Sequence, residues 1–522
     1  MMWRRSGWLF LGLIACSTDP KTTEDTNDET VDSGDTAGAV DSGDPVYGTL
    51  VWADDDHDLG EVAPGCTGSE TRTLENVGEG PVVVSAVTVS DAVFSVAVDA
   101  ALPVELAPGD SLALTVAAIP TVVGLVEADL VVETTSGEGT TATETVEGSA
   151  LWACETVAAG GSSSRTEDWT TDVQTADIML VLDTTCSMSD FLEDVALGFG
   201  EVAAALGEPL PDASFSVASF DDYNYSADGE EMGSGVDKPF HLKQGQTLDT
   251  EAVTAVLTGL IVHNGSDWPE STFEAMQQAV AGVGFDQDCD GTFDAEDDVP
   301  PFLASTADPF SGTGGQNAAG DEVGAVGGTG RRADTMSFVV VGTDAELRDP
   351  DAGYSVPSEA CPTPAGHSST TAAFQAAGTK VVSLLVNSDS ESVPFAQLSA
   401  LAEDTDSVVD LDGDGTPEPA VVEYRSDTLA TDLPDTIAAF TANLALENIR
   451  ADAIVPDGSG LSVSVEVDAG GATTTGEPVS LTIDFTDDGT ATESVPVEVR
   501  LLADIDGRAT VLRRLRVMVQ RG

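Results

Sequence analysis

Short β-patterned runs fill the chain between residues 47 and 154. These runs include 112–116 and 128–132, and turn-forming residues at 76–78 and 108–110 separate them. Regular spacing of short strands and turns is typical of a β-sandwich. We therefore predict an all-β sandwich domain over residues 47–154.

A different pattern occupies residues 170–446. Residues 178–182 form an unbroken apolar run, as expected for a parallel strand that is buried on both faces. Similar runs recur at 338–341 and 381–386. Between them lie apolar residues at the spacing of one helix face, first Phe191, Val195, Phe199, Val202 and Leu206. Alternating strands and helices predict an α/β domain with a doubly wound parallel sheet.

β-patterned runs return near the end of the chain, at 461–467, 479–485, 495–502 and 510–519. They predict a second small β-sandwich over residues 447–522. The predicted fold class is therefore α/β: a doubly wound, Rossmann-like domain that is flanked by two all-β sandwich domains of immunoglobulin-like type.

The first residues have the features of a secretion signal. Arg4 and Arg5 precede an apolar run, residues 8–15, that is too short to span a bilayer. The run ends in Leu-Ile-Ala before Cys16, which resembles the lipobox of bacterial lipoproteins. That resemblance implies a signal peptide over residues 1–15, a lipid anchor on Cys16, and a place in the outer membrane or at the cell surface. An ordinary secretory signal peptide is the alternative.

Residues 16–46 consist mainly of Asp, Glu, Thr, Ser and Gly. Such a segment cannot bury enough surface to offset the entropy of ordering, so we predict a disordered acidic tether. The whole chain carries 92 acidic and 19 basic residues, a net charge of −73. So negative a surface repels nucleic acid and attracts cations, which excludes a nucleic-acid partner and leaves the lipid anchor as the expected membrane contact.

Five cysteines remain after Cys16, an odd number, so at most two disulfides are possible. A bond between Cys66 and Cys154 would join the start and end of the first domain. A bond between Cys289 and Cys361 would join two loops of the second. The spacing leaves the other pairings open.

Oxygen-bearing side chains follow the first predicted strand of the α/β domain. Asp183, Thr185 and Ser187 present one carboxylate and two hydroxyls at alternating positions. Ligands of open α/β sheets bind beyond the carboxyl ends of the strands, and Mg²⁺ takes oxygen ligands in near-octahedral geometry. The loop therefore predicts a divalent-cation site. Because hydroxyls are neutral, the bound cation would stay electropositive.

This Asp-x-Thr-x-Ser-Met loop resembles the metal-ion-dependent adhesion site of von Willebrand factor A (vWA) domains. Residues 339–345 resemble the family's strand that ends in Thr-Asp-Ala, which makes Asp344 a further ligand. Residues 267–272 resemble the Asp-x-Pro-Glu loop of bacterial vWA proteins and integrin β-subunit I-like domains. In the general vWA pattern the fourth ligand is Thr272, and in the integrin pattern it is Glu270.

The resemblance implies a vWA fold, Mg²⁺ or Mn²⁺ at the adhesion site, and binding of a carboxylate that a protein partner offers. Integrin β domains also carry flanking cation sites, and the match to these is partial. Asp190 fits one of them, although Phe191 stands where a second Asp is expected. Asp222 and Asp267, with Glu270, fit the other.

A twelve-residue acidic segment, 286–297, has the spacing of a calcium-binding loop, with Gly291 at the sixth position. It resembles the calcium loops of dockerins and thrombospondins. A solvated acidic loop is the alternative, and it is the favoured interpretation of a shorter run at 410–415 that lacks the distal ligands. The predicted Ca²⁺ ligands are Asp286, Asp288, Asp290, Thr292, Asp294 and Asp297.

These patterns favour a binding protein over an enzyme. The chain has four histidines, and neither His-Glu-x-x-His nor Gly-x-Ser-x-Gly occurs. We expect an extracellular, lipid-anchored adhesion or ligand-binding protein. The alternative is a structural, calcium-stabilised protein of the cell envelope with an inert vWA metal site. Residues 59–124 resemble immunoglobulin-like modules of the Hydin type, which implies a spacer role for the first domain.

Overall fold

A computed structural model describes residues 47–522 apart from 55, 137, 150–151, 225–236, 264, 266–267, 288, 294–297, 302–324, 333, 356–362, 412 and 491–492. The predicted signal peptide over residues 1–15, Cys16 and the tether over residues 16–46 lie outside the described residues. The described chain forms three units, named here the first sandwich, the α/β domain and the second sandwich.

Nine strands form the first sandwich: β1 (Leu50–Trp52), β2 (Asp58–Val62), β3 (Gly68–Asn76), β4 (Val82–Val89), β5 (Phe94–Val98), β6 (Val104–Leu106), β7 (Ser111–Ala118), β8 (Gly124–Ser136) and β9 (Thr140–Gly148). One sheet has the order β1-β3-β7-β5 and the other β2-β9-β8-β4-β6. Leu112, Leu114 and Val116 of β7 are buried because alternate residues of a strand point to the same face. Alternate residues of the predicted run at 112–116 therefore form part of the core of this unit.

Two strands lead away from the first sandwich, β10 (Trp152–Val157) and β11 (Ser162–Thr170). A disulfide joins Cys66 to Cys154 of β10 across 88 residues of sequence, with the Cα atoms 5.4 Å apart. This is one of the two pairings that the sequence suggested. Cys289 is also disulfide-bonded, Cys361 lies outside the described residues, and Cys186 is a free thiol.

The elements of the α/β domain are, in chain order, β12 (Thr175–Asp183), α1 (Ser189–Gly207), β13 (Asp212–Phe220), β14 (His241–Thr247), α2 (Thr250–Thr258), α3 (Thr272–Ala281), β15 (Ala325–Val326), β16 (Arg331–Arg332), β17 (Met336–Thr343), α4 (His367–Ala377), β18 (Lys380–Leu385), α5 (Val393–Asp404), β19 (Val408–Val409), β20 (Glu418–Pro419), β21 (Val421–Glu423) and α6 (Leu429–Thr441). Six strands form one sheet in the order β14-β13-β12-β17-β18-β21. Neighbouring strands are parallel except at the edge, where β14 is antiparallel to β13.

Helices cover both faces of this sheet. Ile178 and Leu180 of β12 pack in one hydrophobic cluster with side chains of α1, α2 and α6. Met179 and Val181 of the same strand pack in another cluster with α3, α4 and α5. A strand buried on both faces has no polar side, which explains the unbroken apolar run at 178–182. Within the described part of the chain, every helix is too short or too polar to cross a membrane.

The second sandwich takes strands from two distant parts of the chain. Its later strands are β22 (Glu447–Ile454), β23 (Leu461–Asp468), β24 (Pro478–Asp487), β25 (Val495–Ile505) and β26 (Arg508–Arg521). The strand β10 pairs in parallel with β26, and β11 pairs antiparallel with β24. The predicted boundaries, 47–154 for the first domain and 447–522 for the last, are therefore corrected. Residues 152–170 belong with the C-terminal strands, and the α/β domain is inserted into the second sandwich.

Buried ion pairs at the carboxylate of Asp212 join the α/β domain to the second sandwich. Arg332 donates from Nε to Asp177 at 2.7 Å and from Nη1 to Asp212 at 3.0 Å. Arg514 and Arg516 of β26 lie 3.4 and 3.5 Å from the same Asp212 carboxylate. Burial opposes the charge of Arg332, but the two carboxylates outweigh burial and raise the pKa of its guanidinium. The arginine therefore stays charged inside the protein.

Removing one partner of a buried ion pair leaves an uncompensated charge. We expect Arg332→Ala to lower the free energy of unfolding of the α/β domain by roughly 3–5 kcal/mol, measured by urea denaturation with tryptophan fluorescence. In the control, Arg425→Ala, the arginine side chain is 67 % exposed and pairs with Glu423, so the midpoint should not move. Equal midpoints for the two variants would contradict the role given to Arg332.

Candidate metal centre

The carboxyl ends of two central strands bring together acidic residues that are distant in sequence. The strands β12 and β17 are parallel neighbours in the middle of the sheet. The first ends at Asp183, and Asp344 directly follows the second. Open α/β sheets bind their ligands at this edge, so the topology puts both predicted metal ligands in a position to share one ion.

Hydrogen bonds connect four of the predicted ligands. Asp183 Oδ1 accepts from the backbone N–H and the hydroxyl of Thr185 at 2.9 and 2.7 Å. The Thr185 hydroxyl lies 3.4 Å from Ser187 Oγ, which donates to Asp344 Oδ1 at 3.0 Å. Thr343 donates its hydroxyl to Asp183 Oδ2 at 2.7 Å. We name Asp183, Thr185, Ser187 and Asp344 the edge cluster.

The two candidates for the fourth ligand differ in their surroundings. Thr272 is the first residue of α3 and is fully buried, and its Oγ1 has no hydrogen-bond partner among the described residues. Glu270 is also buried, and its backbone N–H donates to the carbonyl of Glu346 at 3.0 Å. A Cβ on Gly265 would lie 2.6 Å from Thr185 Cγ2 and 3.5 Å from Glu270 Oε1. Glu270 therefore also lies beside the edge cluster.

The unbonded hydroxyl of Thr272 is an independent observation on whether the edge cluster and Thr272 fit a metal. Burying a hydroxyl without a partner is unfavourable by about 1–3 kcal/mol. A cation that accepts the lone pair of Oγ1 would remove this penalty. The orphaned atom therefore fits the general vWA pattern, in which a threonine is the fourth ligand.

Two carboxylates share the edge cluster without a protein cation. Burial raises the pKa of Asp183 to about 7, against hydrogen bonds from Thr185 and Thr343 that lower it, and the charge of Asp344 adds to the rise. Burial also raises the pKa of Asp344, against a hydrogen bond from Ser187. No basic side chain among the described residues contributes to either shift. Carboxylate and hydroxyl oxygens of this kind are the donor set that Mg²⁺ or Mn²⁺ takes.

The residues predicted for flanking metals have other surroundings. Asp190 lies in the first turn of α1 with an exposed side chain, and Asp267 lies outside the described residues. Asp222 is buried, and Arg348 donates to its carboxylate from Nε at 3.2 Å and from Nη2 at 2.7 Å. Arg348 also donates to the carbonyl oxygen of Pro269. A guanidinium thus stands beside Asp222, which argues against the flanking metal that was considered there.

The predicted calcium loop is described in part. Asp286 accepts backbone N–H bonds from Cys289 and Gly291, both at 2.8 Å, so both of its carboxylate oxygens face the loop backbone. Asp290 accepts from the backbone and hydroxyl of Thr292 at 2.7 and 2.6 Å. Gly291 has a φ of +84°, the sharp turn expected at the sixth position. The other three predicted ligands, Asp288, Asp294 and Asp297, lie outside the described residues.

The shorter acidic run has the same hydrogen-bond pattern. Asp410 accepts from the backbone N–H groups of Gly413 and Gly415 at 2.8 and 2.9 Å. Carboxylate oxygens of Asp410, Asp414 and Glu418 lie within 4.8 Å of one another. The interpretation of this run as a solvated acidic loop did not take Glu418 into account. Glu418 occupies the ninth position counted from Asp410, and this spacing could have revealed it.

Two histidines that no sequence pattern connects lie close together in the structure. His241 and His263 are not related by any metal-binding motif, yet their ring centroids lie 6.3 Å apart. Both rings approach the carboxylate of Asp221, the residue after β13. Only the pairing of β14 with β13 and the return of the chain after α2 bring these residues together.

Comparison with known families identifies the first sandwich. Residues 48–149 match the family model of the HYDIN/CFA65/VesB-like, Ig-like domain. This confirms the predicted immunoglobulin-like domain of the Hydin type. The matched region ends before the edge cluster, and no curated protein matches the chain.

Solved structures resemble parts of the chain at low sequence identity. A protein of unknown function from Porphyromonas gingivalis W83 is 21% identical over 21% of this chain and 50% of its own, with a TM-score of 0.18. The VesB protease of Vibrio cholerae is 24% identical over 19% of this chain and 31% of its own, with a TM-score of 0.17. This chain thus spans half or less of either structure. A von Willebrand factor type A protein from Catenulispora acidiphila is 13% identical over 76% and 70%, with a TM-score of 0.26, a distant match.

The pairing of Asp222 with Arg348 can be tested by removing one or both charges. We expect Arg348→Met to lower the free energy of unfolding by roughly 3–5 kcal/mol, because a buried carboxylate loses its partner. The double variant Asp222→Asn/Arg348→Met should regain part of that loss in the same urea titration. If a metal were bound at Asp222, Asp222→Asn alone would instead lower the bound-metal stoichiometry by one, measured by elemental analysis.

Proposed function

We propose that this protein binds a divalent cation, Mg²⁺ or Mn²⁺, through Asp183, Thr185, Ser187, Thr272 and Asp344, and that the cation binds a carboxylate of a protein partner. The observation that carries this proposal is the edge cluster itself. Two buried carboxylates and two hydroxyls converge at the carboxyl edge of the sheet. The orphaned hydroxyl of Thr272 supports its role as the fourth ligand.

The α/β domain is, in this proposal, a vWA domain with a doubly wound sheet. Two features support that assignment: a central β12 flanked by parallel neighbours, and helices packed on both faces. The metal ligands then come from three separate loops at one edge of the sheet. This arrangement places them at the usual ligand position of an open α/β sheet.

The chemistry of the ligands supports recognition of an acidic group. Asp183 and Asp344 supply the two formal negative charges, and the other proposed ligands are neutral hydroxyls. A divalent cation held in this way keeps its attraction for a further anionic ligand. Ser187 is exposed, so the cluster is open to solvent on its side. A partner carboxylate can therefore reach the ion.

The same features favour binding over catalysis. Ser187 donates its proton to Asp344 and lies beside the hydroxyl of Thr185. Among the described residues no histidine bonds to Ser187, so the histidine base that commonly activates a serine nucleophile is missing there. The groups of the edge cluster are suited to hold a cation.

We place the protein outside the cytosol, held in the outer membrane or at the cell surface by a lipid on Cys16. The disulfide between Cys66 and Cys154 supports an oxidising compartment. The first sandwich then serves as a spacer, and the acidic loop at 286–297 binds Ca²⁺ as a structural ion. An alternative gives the protein only a structural, calcium-stabilised role in the envelope, with an inert site at the edge cluster.

The metal site is tested by calorimetric titration of Mg²⁺ into the chelator-stripped full chain. We expect Asp183→Ala to abolish one Mg²⁺ site, since the central carboxylate is lost. Asp190→Ala is the matched control, because it removes an exposed carboxylate from the next turn of the same segment and should keep that site. Thr272→Val should weaken Mg²⁺ binding more than Glu270→Gln. The opposite order would move the fourth ligand to Glu270.

The open coordination position is tested with acetate as the probe. When Mn²⁺ occupies the edge cluster, exchange of acetate onto the ion should broaden the acetate proton resonance, and Asp183→Ala should remove that broadening. If Mn²⁺ binds in an Asp183-dependent way without broadening acetate, the ion is closed to carboxylates. The structural alternative would then be the better interpretation.

The calcium loop is tested by a separate titration. We expect Asp290→Ala to remove one Ca²⁺ from the full chain and leave Mg²⁺ binding at Asp183 intact, because the loop and the edge cluster share no ligand. Asp414→Ala is the matched variant in the second acidic run. Unchanged Ca²⁺ stoichiometry in Asp290→Ala would mean that the loop at 286–297 is a solvated acidic loop.

A further inference from the structure

Four side chains near the edge cluster form a second cluster, which differs from the edge cluster in its chemistry. Asp221 directly follows β13, His241 begins the edge strand β14, and Asp237 precedes that strand. His263 lies in the loop after α2. We name Asp221, Asp237, His241 and His263 the histidine cluster.

We propose that the histidine cluster is a second metal site, specific for a zinc-class transition metal. Its ligand atoms would be the two imidazole nitrogens that face Asp221, together with one carboxylate oxygen each from Asp221 and Asp237. The histidine cluster and the edge cluster have no residue in common. The second metal site therefore stands or falls independently of the adhesion-type site.

The distances fit one ion. His263 Nδ1 lies 2.7 Å from Asp221 Oδ2 and 3.9 Å from Asp237 Oδ1. His241 Nε2 lies 3.4 Å from the same oxygen of Asp221. In a tetrahedral zinc site with bonds of about 2.0–2.2 Å, ligand atoms are about 3.3 Å apart. The ligand atoms of Asp221, Asp237 and His263 all lie within 4.8 Å of one another. His241 would complete the set after a movement of its side chain.

Burial supports a built site. The carboxylates of Asp221 and Asp237 are completely buried, whereas the histidine side chains are 20% and 25% exposed. Nε2 of His241 is itself buried and makes no hydrogen bond of acceptable geometry, although it points at Asp221 from 3.4 Å. His241 therefore adds a nitrogen that faces the buried carboxylate of Asp221.

The ligand types select the metal. Two imidazole nitrogens and two carboxylates suit Zn²⁺, with Co²⁺ and Ni²⁺ as close substitutes, whereas Mg²⁺ and Ca²⁺ prefer oxygen ligands. The two sites should therefore take different ions from one solution.

Bonds outside the ligand set hold the carboxylate in place. Asp221 Oδ1 accepts from the hydroxyl of Thr184, and its backbone carbonyl accepts from Ser271 Oγ at 2.9 Å. The backbone N–H of His263 donates to the carbonyl of Thr184 at 2.7 Å. Outer bonds of this kind orient metal ligands and tune their affinity. Because Thr184 lies between Asp183 and Thr185, they also support the loop of the edge cluster.

The test uses the full chain, stripped with a chelator and given one equivalent of Zn²⁺ in competition with a chromophoric chelator. We expect one tight Zn²⁺ site, and Co²⁺ should give the intense visible bands of a tetrahedral complex. His263→Asn and His241→Gln should each weaken Zn²⁺ at least about a hundredfold, since the loss of outer-shell partners alone costs 10–100-fold. Circular dichroism verifies that each variant is folded.

Two controls make the result specific. His367→Asn removes a histidine of equal exposure, 25%, that faces the single carboxylate of Asp404 at 3.4 Å, and it should leave Zn²⁺ affinity unchanged. Asp183→Ala should also keep the tight Zn²⁺ site even though it loses Mg²⁺. Unchanged Zn²⁺ affinity in both histidine-cluster variants, or loss of the site in Asp183→Ala alone, would overturn the proposal. In the second case zinc would be occupying the edge cluster.

Discussion

The structure depends on one parallel sheet that is buried on both faces. Along its central strand no side chain between the ends can be polar, so carboxylates occur only near the two ends, at Asp177 and Asp183. Both are fully buried, and removing such a charge from water costs several kcal/mol unless it is compensated. Arg332 compensates Asp177. Asp183 accepts hydrogen bonds only from hydroxyls and an N–H. In the proposed function, a cation from solution compensates its charge.

Pairing of buried carboxylates with arginine also occurs elsewhere in the molecule. The chain has 19 lysines and arginines against 92 acidic residues, and several of its arginines lie inside the protein. Arg514 and Arg516 join two units at Asp212, and Arg348 holds the carboxylate of Asp222. Buried guanidinium groups are thus kept for the contacts that fix the fold.

Much of the fold could be predicted because it follows from local patterns. Short β-patterned runs between turns predicted strands of the first sandwich. Apolar residues at the spacing of one helix face predicted helices such as α1. The insertion of the α/β domain could not be predicted in this way. A strand pattern indicates which face of the strand is buried, but it does not indicate which strand lies beside it. The partner of β10 is β26, at the far end of the chain. The Arg348 partner of Asp222 was hidden for the same reason.

For the candidate site, the sequence by itself pointed to the proposed ligands that lie within one loop, Asp183, Thr185 and Ser187, because their spacing follows from a strand that ends in a turn. It also pointed to Asp344 through family resemblance. Only the tertiary structure decided which hydroxyl was left without a partner at Thr272, and that His241 and His263 meet at Asp221. The physical reason is that burial and hydrogen bonding are properties of packed neighbours, and packing brings together residues that no local spacing relates.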